Sequence, residues 1–220
     1  MAAGGSSIIT VASNPEIPLT WLMLRTTGIV AIAILTLSTV IGIASPALRN
    51  PTRRLVAISI HTAASATGVI LLVGHIIFAV ADSYITISPA AVVVPGLSQW
   101  EPLWVGVGTV SLDLMLLIVL TSLNRIRAPR VWKRVHLLSY IALVLAWVHA
   151  MFAGTDATSR PMQVAAITSL AAVAIAIVFR RARAQRADVV VPRAVHNQAP
   201  SQETTPPQAS QLVGADRGQS

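Results

Sequence analysis

The sequence runs to 220 residues, of which 54% are hydrophobic and 11% charged, with a mean hydropathy of +0.70. A water-soluble domain needs a polar surface on its helices, and long stretches here offer none, so lipid is the solvent for most of the chain. Cysteine is absent, which removes disulfides, thiolate metal sites and iron–sulfur clusters. The net charge of +8 comes from 16 Lys and Arg against 8 Asp and Glu, but the basic residues flank apolar runs, so membrane topology explains them and nucleic acid is not an expected partner.

Residues 1–18 carry no basic segment ahead of the first apolar run, so they read as an extracytoplasmic N-terminal segment followed by a span that is retained. Five runs then follow, approximately Leu19–Ala44, Leu55–Ala81, Leu103–Leu123, Val131–Ala153 and Met162–Phe179. A helix needs roughly 20 apolar residues to cross a hydrocarbon core. The runs are continuous rather than alternating, which argues against barrel strands, and helices satisfy their own backbone groups in lipid. The expected fold is therefore an all-α membrane bundle of about five transmembrane helices, occupying residues 19–183.

Breakers separate the runs: Ser45-Pro46, Asn50-Pro51, Pro89, Pro95-Gly96, Ala128-Pro129 and Pro161. The longest connection, Asp82–Pro102, carries Ile85, Val92, Val93, Val94 and Trp100, and reads as lying on the membrane surface. Arg49, Arg53 and Arg54 mark the first loop, Arg125, Arg127, Arg130, Lys133 and Arg134 the third, and Arg180, Arg181, Arg183 and Arg186 the segment after the fifth run. The charge rule places those segments in the cytoplasm and the N-terminus outside, in a multi-pass protein of the plasma membrane. Residues 184–220, poor in large apolar side chains, read as a disordered cytoplasmic tail. No internal repeat is evident.

Four of the five histidines fall inside these spans: His61 and His75 in the second, His136 and His149 in the fourth. A polar ring in lipid is costly, so each is a functional candidate. A single such histidine is as readily a hydrogen-bonded core residue as a ligand. Four, in two matched pairs, favour ligands. Spans two and four both start at the cytoplasm, with His61 and His136 near their starts and His75 and His149 near their ends. Intervals of 14 and 13 residues correspond to roughly 20 Å along each helix at about 1.5 Å per residue, so two levels result, each with one histidine from each span. Zinc needs its ligands in one coordination sphere, which separated pairs do not supply. Two facing neutral imidazoles suit the two axial positions of a haem iron, leaving no open site and hence electron transfer as the natural task. One difficulty remains on this reading: 14 residues return to nearly the same helix face, whereas 13 leave about 140° of mismatch at 100° per residue, so span four must be bent or irregular, or its rings leave from different edges.

The paired-histidine pattern resembles the haem core shared by ferric reductases and NADPH oxidases. The stretches Leu24-Arg25-Thr26-Thr27-Gly28, Pro102-Leu103-Trp104-Val105-Gly106-Val107-Gly108-Thr109 and Thr121-Ser122-Leu123 with Arg125 resemble short bacterial ferric reductase-like transmembrane domain proteins over about residues 19–180. The resemblance implies two haem b groups, one held by His61 and His136 and the other by His75 and His149. It implies an oxidoreductase of cytochrome b type that moves electrons from a cytoplasmic or quinone donor to an extracytoplasmic acceptor, ferric ion or a partner redox protein. Larger relatives have six spans and a flavin and nicotinamide domain. This sequence shows five spans and no Gly-rich nucleotide fingerprint, so a separate flavoprotein or quinol is the expected donor. Two other readings stand beside this one: a membrane anchor subunit of a larger reductase, and a transporter whose histidines bind a non-haem metal or protons.

Arg25, early in span one, is a candidate partner for a propionate of the outer haem, against the simpler reading of an arginine reaching to the interface. Asp113, mid-way along span three, reads as a protonated carboxyl bonded to a neighbouring helix, with a proton-relay or quinone role as the alternative. Trp104, Trp132 and Trp147 read as interface anchors that could also aid electronic contact. Gly68 could admit a haem edge or let helices approach. Lys133 and Arg134 are accounted for by topology, and His196 by solvation in the tail.

Overall fold

The fold is that of a computed structural model, which describes residues 19–83, 85, 87–154 and 158–196, with side chains as far as Arg186. Its helices are, in chain order, α1 (Leu19–Ala44), continued by a 3₁₀ turn at Ser45–Ala47, then α2 (Pro51–Ala81), α3 (Pro89–Val93), α4 (Pro102–Leu123), α5 (Pro129–His136), α6 (Ser139–Phe152) and α7 (Arg160–His196). No strand occurs among the described residues. Proline opens α2, α3, α4 and α5, where its missing N–H has no intrahelical partner to lose and its fixed φ suits a helix. Two of these starts are also capped: the Asn50 side chain accepts from the Arg53 N–H at 3.1 Å and the Ser88 hydroxyl from the Ala91 N–H at 3.3 Å.

Among the described residues, five helical stretches are long and apolar enough to cross a membrane: Leu19–Ala47, Pro51–Ala81, Pro102–Leu123, Pro129–Phe152 and Arg160–Arg186. They fit a multi-pass membrane protein. Large apolar side chains such as Ile70, Ile77, Leu103, Leu120 and Ile175 are exposed, while Thr36, Ser38, Thr109 and Ser111 are buried. That distribution suits lipid, where an outward leucine costs nothing and hydroxyls serve to bond one helix to the next.

The chain divides into two units, residues 1–182 and 183–220. Within the first, α1 packs along α2, α4 along α6 and against α5, and α1 also meets α6. The hairpin of α1 and α2 joins that of α4 to α6 through Ile32 against Leu143 and Trp147, in a core completed by Met162 and Ala166 of α7, with the Trp147 indole N–H donating to the Thr36 hydroxyl at 3.4 Å. Within each hairpin a hydroxyl bridges the helices: Ser38 to Ser65 at 2.6 Å, and Ser111 to the Ala142 carbonyl at 2.8 Å. In the second unit α7 stays helical to His196, past the residue at which the sequence reading begins the tail. Residues 197–220, the larger part of that tail, and the N-terminal segment 1–18 lie outside the described residues.

The connection between α2 and α4 is tied to α4. Ala91 is 1% exposed and its carbonyl accepts from the Thr109 hydroxyl at 2.8 Å. A Cβ on Gly106 would lie 3.0 Å from the Gly96 nitrogen, so this close approach depends on glycine. Val93, Val94 and Leu97 stay exposed along the outside of the segment.

Candidate functional site

Span four is two helices, and the break between them resolves the unequal histidine spacing. Between α5 and α6 the backbone closes i to i−3 bonds: Leu137 N–H to Arg134 O at 3.3 Å, Leu138 N–H to Val135 O at 2.9 Å, and Tyr140 N–H to Leu137 O at 3.3 Å. Such 3₁₀ steps rise about 2.0 Å and turn about 120° each, against about 1.5 Å and 100° in an α-helix. Three of them among thirteen carry the chain about 21 Å, the same rise as fourteen α-helical steps, and recover about 60° of the rotation. His136 and His149 are thereby brought to the depths of His61 and His75 despite the shorter interval.

The four side chains meet as two pairs. The rings of His61 and His136 stand with centroids 6.1 Å apart and planes at 82°, and those of His75 and His149 with centroids 6.4 Å apart and planes at 80°. Because His61 lies in the first third of α2 and His136 closes α5, the short helix that opens span four, their pair sits at the end of the bundle that carries Arg53, Arg54, Arg130, Lys133 and Arg134, the basic end. His75 and His149 form the far-end pair. Among the described residues no three His, Asp or Glu side chains converge as a closed protein metal site requires.

Backbone carbonyls decide which ring nitrogen is left over. His75 Nδ1 lies 2.9 Å from Leu24 O, His149 Nδ1 lies 2.9 Å from Trp104 O, and His61 Nδ1 lies 2.8 Å from Ser38 O. A carbonyl only accepts, so in each ring Nδ1 carries the proton and Nε2 keeps the lone pair that a metal requires. The Ser38 hydroxyl also lies 2.9 Å from His61 Nδ1; its own proton goes to Ser65 or to His61 O. The rings fit a metal-centred group gripped from both sides. Two nitrogen–metal bonds of roughly 2 Å, with about 1 Å more from each nitrogen to its ring centre, set the centroids about 6 Å apart.

Glycines seat three of the rings. A Cβ on Gly28 would lie 2.7 Å from His75 Nδ1, on Gly108 2.6 Å from His149 Nδ1, and on Gly42 3.0 Å from His61 Cε1. Each glycine stands four residues after the carbonyl that its histidine bonds: Leu24 and Gly28, Ser38 and Gly42, Trp104 and Gly108. The two hairpins, α1 with α2 and α4 with α5 and α6, thus repeat one device. Sequence reasoning missed it because the shared signal is one glycine and one backbone atom, whose side chains differ. The 14-residue interval between Gly28 and Gly42, equal to that between His61 and His75, was its only trace.

The remaining candidates fall in different places. The Arg25 guanidinium lies over the Trp21 ring, 4.3 Å from its centroid, one residue from the carbonyl that holds His75. Trp147 is 5% exposed in the inter-hairpin core rather than an interface anchor. Trp104 stacks on Phe152 with centroids 4.3 Å apart, and Trp132 lies 5.6 Å from the His136 ring. A Cβ on Gly68 would meet Leu35 at 2.6 Å, so Gly68 serves the approach of α1 to α2. Asp113 is exposed on α4 near Val110 and Leu117 instead of being buried against a neighbouring helix. Lys133 and Arg134 are exposed on α5, and the His196 side chain lies outside those described.

Residues 27–147, more than half of the chain, match the family model described as ferric reductase like transmembrane component. No curated protein and no solved structure matches the chain.

Proposed function

The chain belongs to the ferric reductase like transmembrane component family, and from that membership and the two histidine pairs we propose that it carries single electrons across a membrane through two b-type haems. His61 and His136 would hold one, His75 and His149 the other. Bound between two imidazoles, haem supplies a one-electron iron couple with no open coordination position. The chain's own residues supply the rest. The carbonyls of Leu24, Ser38 and Trp104 hold a proton on Nδ1 and so aim the Nε2 lone pair of three histidines. Ile32, Leu143 and Trp147 close the space between the hairpins against water. Arg25 is the residue for a propionate at the far end, a pairing that would offset the burial of both charges.

The basic end faces the cytoplasm under the charge rule, with the N-terminus outside and the C-terminus inside, in the plasma membrane. Electrons then enter at the His61–His136 level from a separate flavoprotein or a quinol, and leave at the His75–His149 level for ferric ion or a partner redox protein. The observation that carries this reading is the pair of ring separations, 6.1 and 6.4 Å, each spanning from one hairpin to the other. Haem analysis of the purified chain tests it, with about two b-type haems per chain expected; a folded but colourless protein would overturn it and favour a metal or proton transporter. Reporters placed after Arg186 and within the α2–α4 connection test the orientation, the first expected inside and the second outside.

A further inference from the structure

Three of the four histidine seats follow one pattern, and the fourth departs from it at a single residue. In α1 the seats are spaced 14 residues apart, Leu24 with Gly28 and Ser38 with Gly42; in α4 the first is Trp104 with Gly108. The same interval along α4 leads from Trp104 to Ile118 and from Gly108 to Ser122. The register that repeats in α1 therefore assigns the Ile118 carbonyl to His136 and asks for glycine at 122. Serine stands there instead. Its hydroxyl donates to Ile118 O at 2.6 Å; the Thr121 hydroxyl reaches the same oxygen at 3.1 Å, just as Thr27 reaches Leu24 O at 3.1 Å while that carbonyl holds His75, so Ser122 is the departure. His136 Nδ1 is buried and has no hydrogen-bond partner, alone among the four.

We propose that Ser122 is a positioning residue that sets the basic-end haem apart from the far-end haem, by occupying the Ile118 carbonyl and the glycine seat that His136 would otherwise use. This rests on the two-haem reading given above. An imidazole that donates Nδ1–H to a carbonyl becomes the more basic ligand and stabilises the more oxidised iron. The far-end haem has that support from both its histidines, the basic-end haem from His61 alone. Ser122 thus raises the reduction potential of the basic-end haem relative to what the repeated design would give, without changing a ligand.

The test is a redox titration of the full chain, comparing the wild type with Ser122→Gly and Ser122→Ala, the two haems being told apart with His75→Ala, which keeps only the basic-end one. Ser122→Gly opens the seat and removes the Ser122 hydroxyl from Ile118 O, leaving only the Thr121 bond, which matches the Thr27 bond that Leu24 O keeps while it holds His75. It should favour the oxidised form of the basic-end haem about tenfold, about 59 mV lower for a one-electron couple, with its low-spin spectrum kept and the far-end haem unmoved. Ser122→Ala removes the same hydroxyl from Ile118 O but keeps a Cβ, and should move the same haem in the same direction by less. Unmoved potentials in both variants with both haems bound, or equal shifts of the two haems, overturn the role of Ser122 and leave the two-haem reading standing. A chain that binds no haem overturns that reading and this inference together.

Discussion

At the far end, His75 and His149 each donate to a carbonyl that lies four residues before a glycine pressed against the ring, and the two seats are interchangeable in design. At the basic end, His61 keeps that arrangement and adds the Ser38 and Ser65 hydroxyls, whereas His136 has neither the carbonyl nor the glycine. Ring separation is nevertheless almost the same at both ends, 6.4 and 6.1 Å. Ligand spacing and ligand support are therefore separable properties. Spacing follows from how the two hairpins pack against each other, and support from single residues on the helix behind each ring.

Removing a ligand should have the largest effect. His75→Ala or His149→Ala should each abolish low-spin haem at the far end, and the double variant should lose little more, because two ligands of one iron act as a unit. Haem content would fall from about two to about one per chain. Identical spectral losses from His75→Ala and His136→Ala would break the division into two ends.

Next come the seats. Gly28→Ala and Gly108→Ala each bring a Cβ within 2.7 Å of the Nδ1 that holds its ring in register, so the far-end haem should become high-spin or be lost in both. Gly42→Ala, at 3.0 Å from a ring carbon, should perturb the basic-end spectrum less. Equal effects at all three positions would show that the contacts do not grade the seats.

Winding offers a third way to sharpen the comparison. One alanine inserted between Leu137 and Leu138 lets the 3₁₀ turn relax to α-helix, so both haems should be retained. The same insertion between Val69 and Ile70 rotates His75 by about 100° away from Leu24 O and should cost the far-end haem. Haem content per chain reads both results. The smallest effects are expected from hydroxyl deletions: Ser38→Ala leaves the Ser38 carbonyl on His61, and Ser111→Ala removes one bond between α4 and α6. Each should leave haem content unchanged and lower stability by about 1 kcal/mol, measured as detergent-solubilised thermal unfolding.

The spans and the two histidine depths were legible in the sequence. Whether about 20 apolar residues enter lipid is a sum of local transfer energies, and depth along a helix is a count of residues times a rise, so α1 ends at Ala44 where the first apolar run was read to end, and the pairing by depth could be read from intervals of 14 and 13. Proline positions then marked the starts of α2, α4 and α5 to within a few residues. The azimuth of each ring was not legible, because it depends on local winding, and the 3₁₀ steps at 137–140 leave no compositional mark in an apolar run. Nor was the burial of Trp147, the exposure of Asp113 or the choice of Leu24, Ser38 and Trp104 as carbonyl partners. Those follow from which helix faces meet, and in lipid an apolar face is equally content against a neighbour or against the bilayer, so hydropathy does not distinguish them. Sequence alone determined where the chain crosses and how deep its histidines lie; only the packing of the two hairpins decided what each histidine leans on, because a backbone carbonyl has the same identity in every residue and its use is set by what comes within reach.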